Sequence, residues 1–217
     1  MNTALRLAAA ILLIAPAMGV QAAERVWDFE VQLDGKPIGS HRFVLEEHND
    51  ERVLTSSADF NVRFLGFVAY RYHHQDVERW RGECLSRMDA STLDDGKPTR
   101  VQARTETGGL RIEINGAAAV PQPPAPACLM SFAYWNPALR SLAPTRLLNA
   151  QNGRVETTQI TRLADASIDV RGAPQAAQHW RITGVDAPIE LWYSDSGDWL
   201  ALESQVRGGR TLQYRLK

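Results

Sequence analysis

Cysteine is scarce in this chain: Cys84 and Cys128 are the only two among 217 residues. There is no Cys-x-x-Cys pair and neither cysteine has a neighbouring histidine, which excludes a thioredoxin-like redox motif or a zinc ribbon. An excess of charge of one sign is also missing. Lys and Arg number 24 against 25 Asp and Glu, a formal net charge of -1, so neither nucleic acid nor an anionic membrane surface is implied as a partner. Beyond residue 22 no apolar run reaches transmembrane length, and the rest of the chain is expected to be soluble. Gly-x-Ser-x-Gly, His-Glu-x-x-His and glycine-rich phosphate loops are absent, leaving no signature of a serine hydrolase elbow, a zincin or a nucleotide site. No metal and no cofactor is expected.

What is present starts at the N-terminus. Met1 to Arg6 is a short positive start, Leu7 to Pro16 an apolar stretch too short to span a bilayer, and Val20-Gln21-Ala22 a small-residue exit. This reads as an export signal, residues 1–22, cleaved near Ala22 and leaving one domain, residues 23–217, in the periplasm. In that oxidising compartment Cys84 and Cys128 most simply form one bridge, which on the chain-entropy model stabilises the fold by roughly 4 kcal/mol.

Period-two alternation runs through nearly all of the remaining sequence. Trp27, Phe29, Val31 and Leu33 alternate with Val26, Asp28, Glu30 and Gln32, giving one apolar and one wet face. Asp34-Gly35, Asp95-Gly96, Asn115-Gly116, Asn152-Gly153 and Gly208-Gly209 interrupt such runs and are strong hairpin signals. Further strands are expected over Ile38 to Glu46, Arg52 to Asn61, Val68 to Trp80, Gly82 to Thr92, Pro98 to Glu106, Leu110 to Asn115, Val155 to Leu163, Ser167 to Arg171, His179 to Gly184, Pro188 to Ser194, Trp199 to Val206 and Arg210 to Leu216. The fold class is therefore all-β: a large curved antiparallel sheet, a β-barrel or half-open barrel, or two packed sheets.

Ala117 to Ala127 breaks the rhythm with Pro121, Pro123, Pro124 and Pro126, which cannot pair in a ladder. The aromatic stretch Cys128-Leu-Met-Ser-Phe-Ala-Tyr-Trp135 follows. Asn136-Pro137 then reads as N-cap and first helical residue of a short turn through Leu142. Together these form a strap across the sheet, tied down at Cys128.

The densest set of functional side chains is Tyr70 to Glu78. On a strand Tyr70, Tyr72, His74, Asp76 and Glu78 share one face while Arg71, His73, Gln75 and Arg79 share the other, so His73 and His74 point apart and do not chelate one ion. His41, His48 or His179 would have to complete any metal site from a distance. Ser57, His74 and Asp76 can be combined on paper into a triad, as in any chain of this length, and that carries no weight. Acid pairs for glycoside hydrolysis can be drawn from Asp76, Glu78, Glu190 and Asp198.

Phe60, Phe64, Phe67, Tyr70 and Tyr72 gather around one strand junction, Phe132, Tyr134 and Trp135 lie on the strap, and Trp192 and Tyr193 on a late strand. Large aromatics are ordinary core material, yet a curved sheet under an aromatic strap also builds an apolar cavity. The ligand-binding candidates are thus Phe60, Phe64, Phe67, Tyr70, Tyr72, Phe132, Tyr134, Trp135 and Trp192.

Trp27-Asp-Phe-Glu-Val with Asp34-Gly-Lys-Pro-Ile-Gly, Cys84-Leu, Cys128-Leu-Met-Ser-Phe-Ala-Tyr-Trp-Asn-Pro, Leu147-Leu-Asn and Ile189-Glu-Leu-Trp-Tyr with Trp199 carry a resemblance. Over essentially the whole exported part the chain resembles a family of exported proteobacterial proteins, a domain of unknown function. The late Leu-Trp-Tyr strand and turn are also similar to a second exported β family, akin in architecture to periplasmic carriers that shield lipid or lipoprotein acyl chains. The resemblance implies a lipid or other apolar small molecule as partner and brings no catalytic residue. Three functions are open: a carrier of an apolar or amphipathic ligand, an envelope enzyme using His74, Asp76 and Glu78, and an assembly factor that pairs with another envelope protein.

Overall fold

The computed structural model describes residues 23–64, 67–107, 109–119, 128–141 and 145–217. The export signal expected at residues 1–22, the prolines of the strap and Leu142 lie outside the described residues.

Among the described residues the alternating sequence folds into sixteen strands: β1 Ala23–Leu33, β2 Lys36–His48, β3 Glu51–Phe64, β4 Phe67–Arg81, β5 Cys84–Asp94, β6 Lys97–Glu106, β7 Gly109–Ile114, β8 Ala117–Ala119, β9 Met130–Ser131, β10 Thr145–Leu148, β11 Val155–Arg162, β12 Ala166–Val170, β13 Ala173–Thr183, β14 Ile189–Tyr193, β15 Trp199–Val206 and β16 Arg210–Leu216. They form one curved sheet in the order β8-β7-β6-β5-β4-β3-β2-β1-β16-β15-β14-β13-β11-β10-β9, with β12 attached to β13. Every pairing is antiparallel except that of β9 with β10. The first and last strands meet in the middle, Phe29 opposite Leu216. Each half of the chain is thus a meander running outward from a shared seam.

Turn chemistry sets the register. Asp34-Gly35, Asp95-Gly96 and Asn115-Gly116 all have positive φ at both positions, the tight reversal whose twist matches the flanking strands. Arg171-Gly172 makes the same turn with a less usual first residue, φ 57° and 81°. This hairpin extends β13 back to Ala173, where Pro174 and the alanines carry little strand signal.

The apolar face of β1 packs as its alternation requires, with Trp27, Phe29, Val31 and Leu33 buried. The core continues through Phe43, Leu45, Trp80, Met88, Ile112, Tyr193 and Trp199. A smaller cluster of Ala177, Trp192, Leu200 and Ala201 lies apart from it, with Ile168 and Val170 of β12 packed on it.

The closed barrel, one of the expected shapes, is not formed: the sheet ends at β8 and β9. These strands are three and two residues long, too short to zip a seam. A covalent link ties the far end back instead. Cys84 and Cys128 form the expected disulfide, and Leu85 N–H donates to the Leu129 carbonyl at 2.9 Å. The turn between β10 and β11 settles against β6 and β7, where a Cβ on Gly153 would come within 2.6 Å of Ile114. Among the described residues there is no α-helix. Asn136 caps a 3-10 turn, Pro137–Ser141, its Oδ1 accepting from Ala138 N–H at 3.0 Å.

Candidate functional site

The curved sheet and the segment laid over it do not meet completely. Between them lies a cavity of about 350 Å³, at the low end of the ~300–1,000 Å³ usual for small-molecule sites. Its apolar walls include Phe43, Leu54 and Trp199 from the sheet and Phe132, Tyr134 and Trp135 from the cover. The mouth is framed by the turns at residues 149–152 and 185–187.

The cover is built to stay in place. Trp135 stands edge-on to Trp80 at 5.5 Å, and the Arg52 guanidinium lies 5.0 Å above the Trp135 ring. Tyr193 donates its hydroxyl to the Tyr134 carbonyl at 2.9 Å, and Asn136 Nδ2 donates to Glu83 at 2.6 Å. The strap is therefore a fixed roof among its described residues.

The floor is polar. Strand alternation puts Tyr72, His74, Asp76, Glu78 and Trp80 on the inner face of β4, and of these His74, Asp76 and Glu78 line the cavity. Asp76 and Glu78 are 5 % and 2 % exposed, so two carboxyls two residues apart are shut away from water together. Glu78 accepts from Trp80 Nε1 at 3.0 Å and from the Ser131 hydroxyl, and the two acids hydrogen-bond each other. Burial, joined by the charge of Glu78, raises the Asp76 carboxyl well above its ordinary value. Burial also raises Glu78, against the opposing pull of its donors. Asp76 Oδ1 has no hydrogen-bond partner.

Two histidines complete the floor. His74 Nδ1 meets Thr92 Oγ1 at 2.9 Å, while His41 sits between Ser56 Oγ at 2.8 Å and Tyr214 Oη at 3.2 Å. Their rings are 6.4 Å apart. Burial lowers both, His41 to about 3 and His74 to about 4, and the proximity of His74 adds to the effect at His41. Both imidazoles are neutral at neutral pH.

This geometry bears directly on catalysis. Ser56 and His41 make a dyad, but the third member is the tyrosine Tyr214 rather than a carboxylate, and an imidazole near 3 is a weak base. Ser56 also lies mid-ladder between Phe43 and Asp76, so its backbone donors belong to the sheet and not to an oxyanion hole. Ser57, the serine considered with His74 and Asp76, is exposed on the opposite face. Asp76 and Glu78, in hydrogen-bond contact, are too close for the ~5–9.5 Å separations of glycosidase acids. Glu190 is held by His179 at 2.8 Å and Arg181 at 2.5 Å, and Asp198 by Arg25 at 2.5 Å, neither among the cavity-lining residues. Among the described residues no group of three His, Cys, Asp or Glu side chains is arranged to hold a metal ion.

Of the aromatic ligand candidates, Phe132, Tyr134 and Trp135 line the cavity. Phe60 and Tyr72 stack at 5.1 Å beside it, Phe60 meeting the ring of Tyr214. Tyr70 donates to Asp94 at 2.7 Å, and Phe67 is 79 % exposed near the tip of the β3–β4 hairpin. The Phe64 side chain lies outside the described residues. Trp192 belongs to the smaller cluster and stacks on His179 at 4.7 Å. Sequence reasoning missed Ser56, Ser131 and Tyr214 as floor residues and named His41 only as a distant metal partner. Their one signal was inward register on strands whose partners were not assigned.

The family described as a domain of unknown function (DUF6134) matches residues 29–217, the span that contains every residue of the cavity. The chain belongs to that family. No curated protein matches the chain.

Proposed function

We propose that this protein is a soluble carrier of one small apolar or amphipathic molecule, working in the periplasm after export. The observation that carries the reading is the 350 Å³ cavity between the sheet and its pinned aromatic cover. A core this aromatic has the material to fill that space, yet the space is left open beside buried polar groups. The volume suits a single chain or ring system with a polar end, lipid-like in character but smaller than a two-chain lipid. The Cys84–Cys128 bridge supports work in an oxidising compartment.

Native mass spectrometry of the protein purified from periplasm, followed by solvent extraction, tests this. A co-purifying small molecule, lost in Ala150→Trp at the mouth, is the expected result. A protein that is always empty and takes up neither naphthalene nor octanol overturns it.

A second reading is favoured by one observation, the hydrogen-bonded pair of Asp76 and Glu78 buried beside His74. In that reading the protein is an envelope enzyme with Asp76 as general acid and Glu78 as its base partner. Turnover of envelope material that disappears in both Asp76→Asn and Glu78→Gln is its test; retained turnover in either variant rules it out.

A further inference from the structure

We propose that the cavity floor is a seat for a cation and that the ligand is an amphipathic amine. The inference rests on the carrier reading above and names its ligand class. Its basis is the charge of the lining. Asp76, Glu78, Glu156 and Asp186 line the cavity, and among the described residues no lysine or arginine does. Glu156 is paired with Arg154 at 3.5 Å, and Asp186 stands exposed at the mouth. At the bottom, Asp76 Oδ1 is buried without a partner.

The groups around that oxygen agree. On β4 it has Glu78 and His74; His41 comes from β2, Ser131 from β9 and Tyr214 from β16. Asp89 on β5 adds negative charge from outside the cavity lining, where Arg87 pairs with it at 2.7 Å and Arg100 lies near. With both histidines neutral, none of the named groups that line the floor is cationic at neutral pH. A carboxylate or phosphate head would meet like charge in a low-dielectric site with no countercharge. An ammonium would instead donate a charge-assisted hydrogen bond to Asp76, with Phe132, Tyr134 and Trp135 lining the cavity around its first methylenes. Fatty acids and anionic lipid heads are thereby excluded from the floor, which narrows the lipid-like class to its cationic members.

The test compares n-octylamine, n-octanol and n-octanoate, equal in chain length, by calorimetry at pH 7. Octylamine is expected to bind about tenfold or more tighter than octanol, with octanoate unbound. Asp76→Asn, checked for folding by its thermal transition, is expected to bring octylamine down to the level of octanol. Trp192→Ala, on the separate cluster, leaves the ranking unchanged. Octanol binding as tightly as octylamine, or octanoate binding at all, overturns the cation seat while the carrier reading stands. Failure of all three ligands to bind removes both.

Discussion

His41 is buried, neutral and clamped between Ser56 and Tyr214, and acid should expose its cost. Its folded value is about 3 against 6.5 for the free side chain, so between those limits the unfolded chain binds more protons than the folded one. The stability it contributes is complete above 6.5 and is lost as pH falls. From pH 6.5 to 5 the loss is about 1.4 kcal/mol per pH unit, roughly 2 kcal/mol in all. His74, lowered to about 4, adds a loss of the same sign. Asp76 acts in the opposite direction: its raised folded value makes the fold less stable as pH rises. These shared terms largely cancel when wild type is compared with His41→Gln, a neutral side chain that can still bond Ser56 and Tyr214. Urea and thermal denaturation at pH 7 and pH 5 should show the wild type losing about 2 kcal/mol more than the variant, roughly 4–8 °C in midpoint. Equal losses in the two proteins would refute a buried neutral His41.

Cys84→Ser should lower stability by roughly 4 kcal/mol, and a reducing agent should lower the wild-type melting midpoint without affecting the variant. Gly39→Ala should destabilise by on the order of 3 kcal/mol, measured by urea denaturation, because a Cβ there comes within 1.9 Å of the Asp59 carbonyl across the β2–β3 ladder. Trp135→Ala should cost ~3–5 kcal/mol and abolish ligand uptake with the loss of the roof, whereas Trp192→Ala should leave uptake intact, both read by fluorescence titration with naphthalene.

The strands were legible because period-two alternation and the Asp-Gly and Asn-Gly turns are local signals that tertiary contacts reinforced. The inward set on β4 was legible for the same reason: alternation alone put His74, Asp76 and Glu78 on one face. Short β9 and β10 escaped because a parallel pair between distant segments has no local signature. Trp192 lies outside the cavity lining, and the sequence could not show this because Leu191, Trp192 and Tyr193 are all buried, and a run buried on both faces hides which residue looks inward.

The order of residues by itself determined an all-β chain, its hairpin turns, the cysteine pair and the polar face of one strand, since each depends on periods of two or on residues adjacent in sequence. Tertiary structure alone decided that the sheet stays open, that His41, Ser56 and Tyr214 come to the same floor as Asp76, and that space remains beneath the cover. Curvature and packed volume arise from strands far apart in the chain, and no local pattern encodes them.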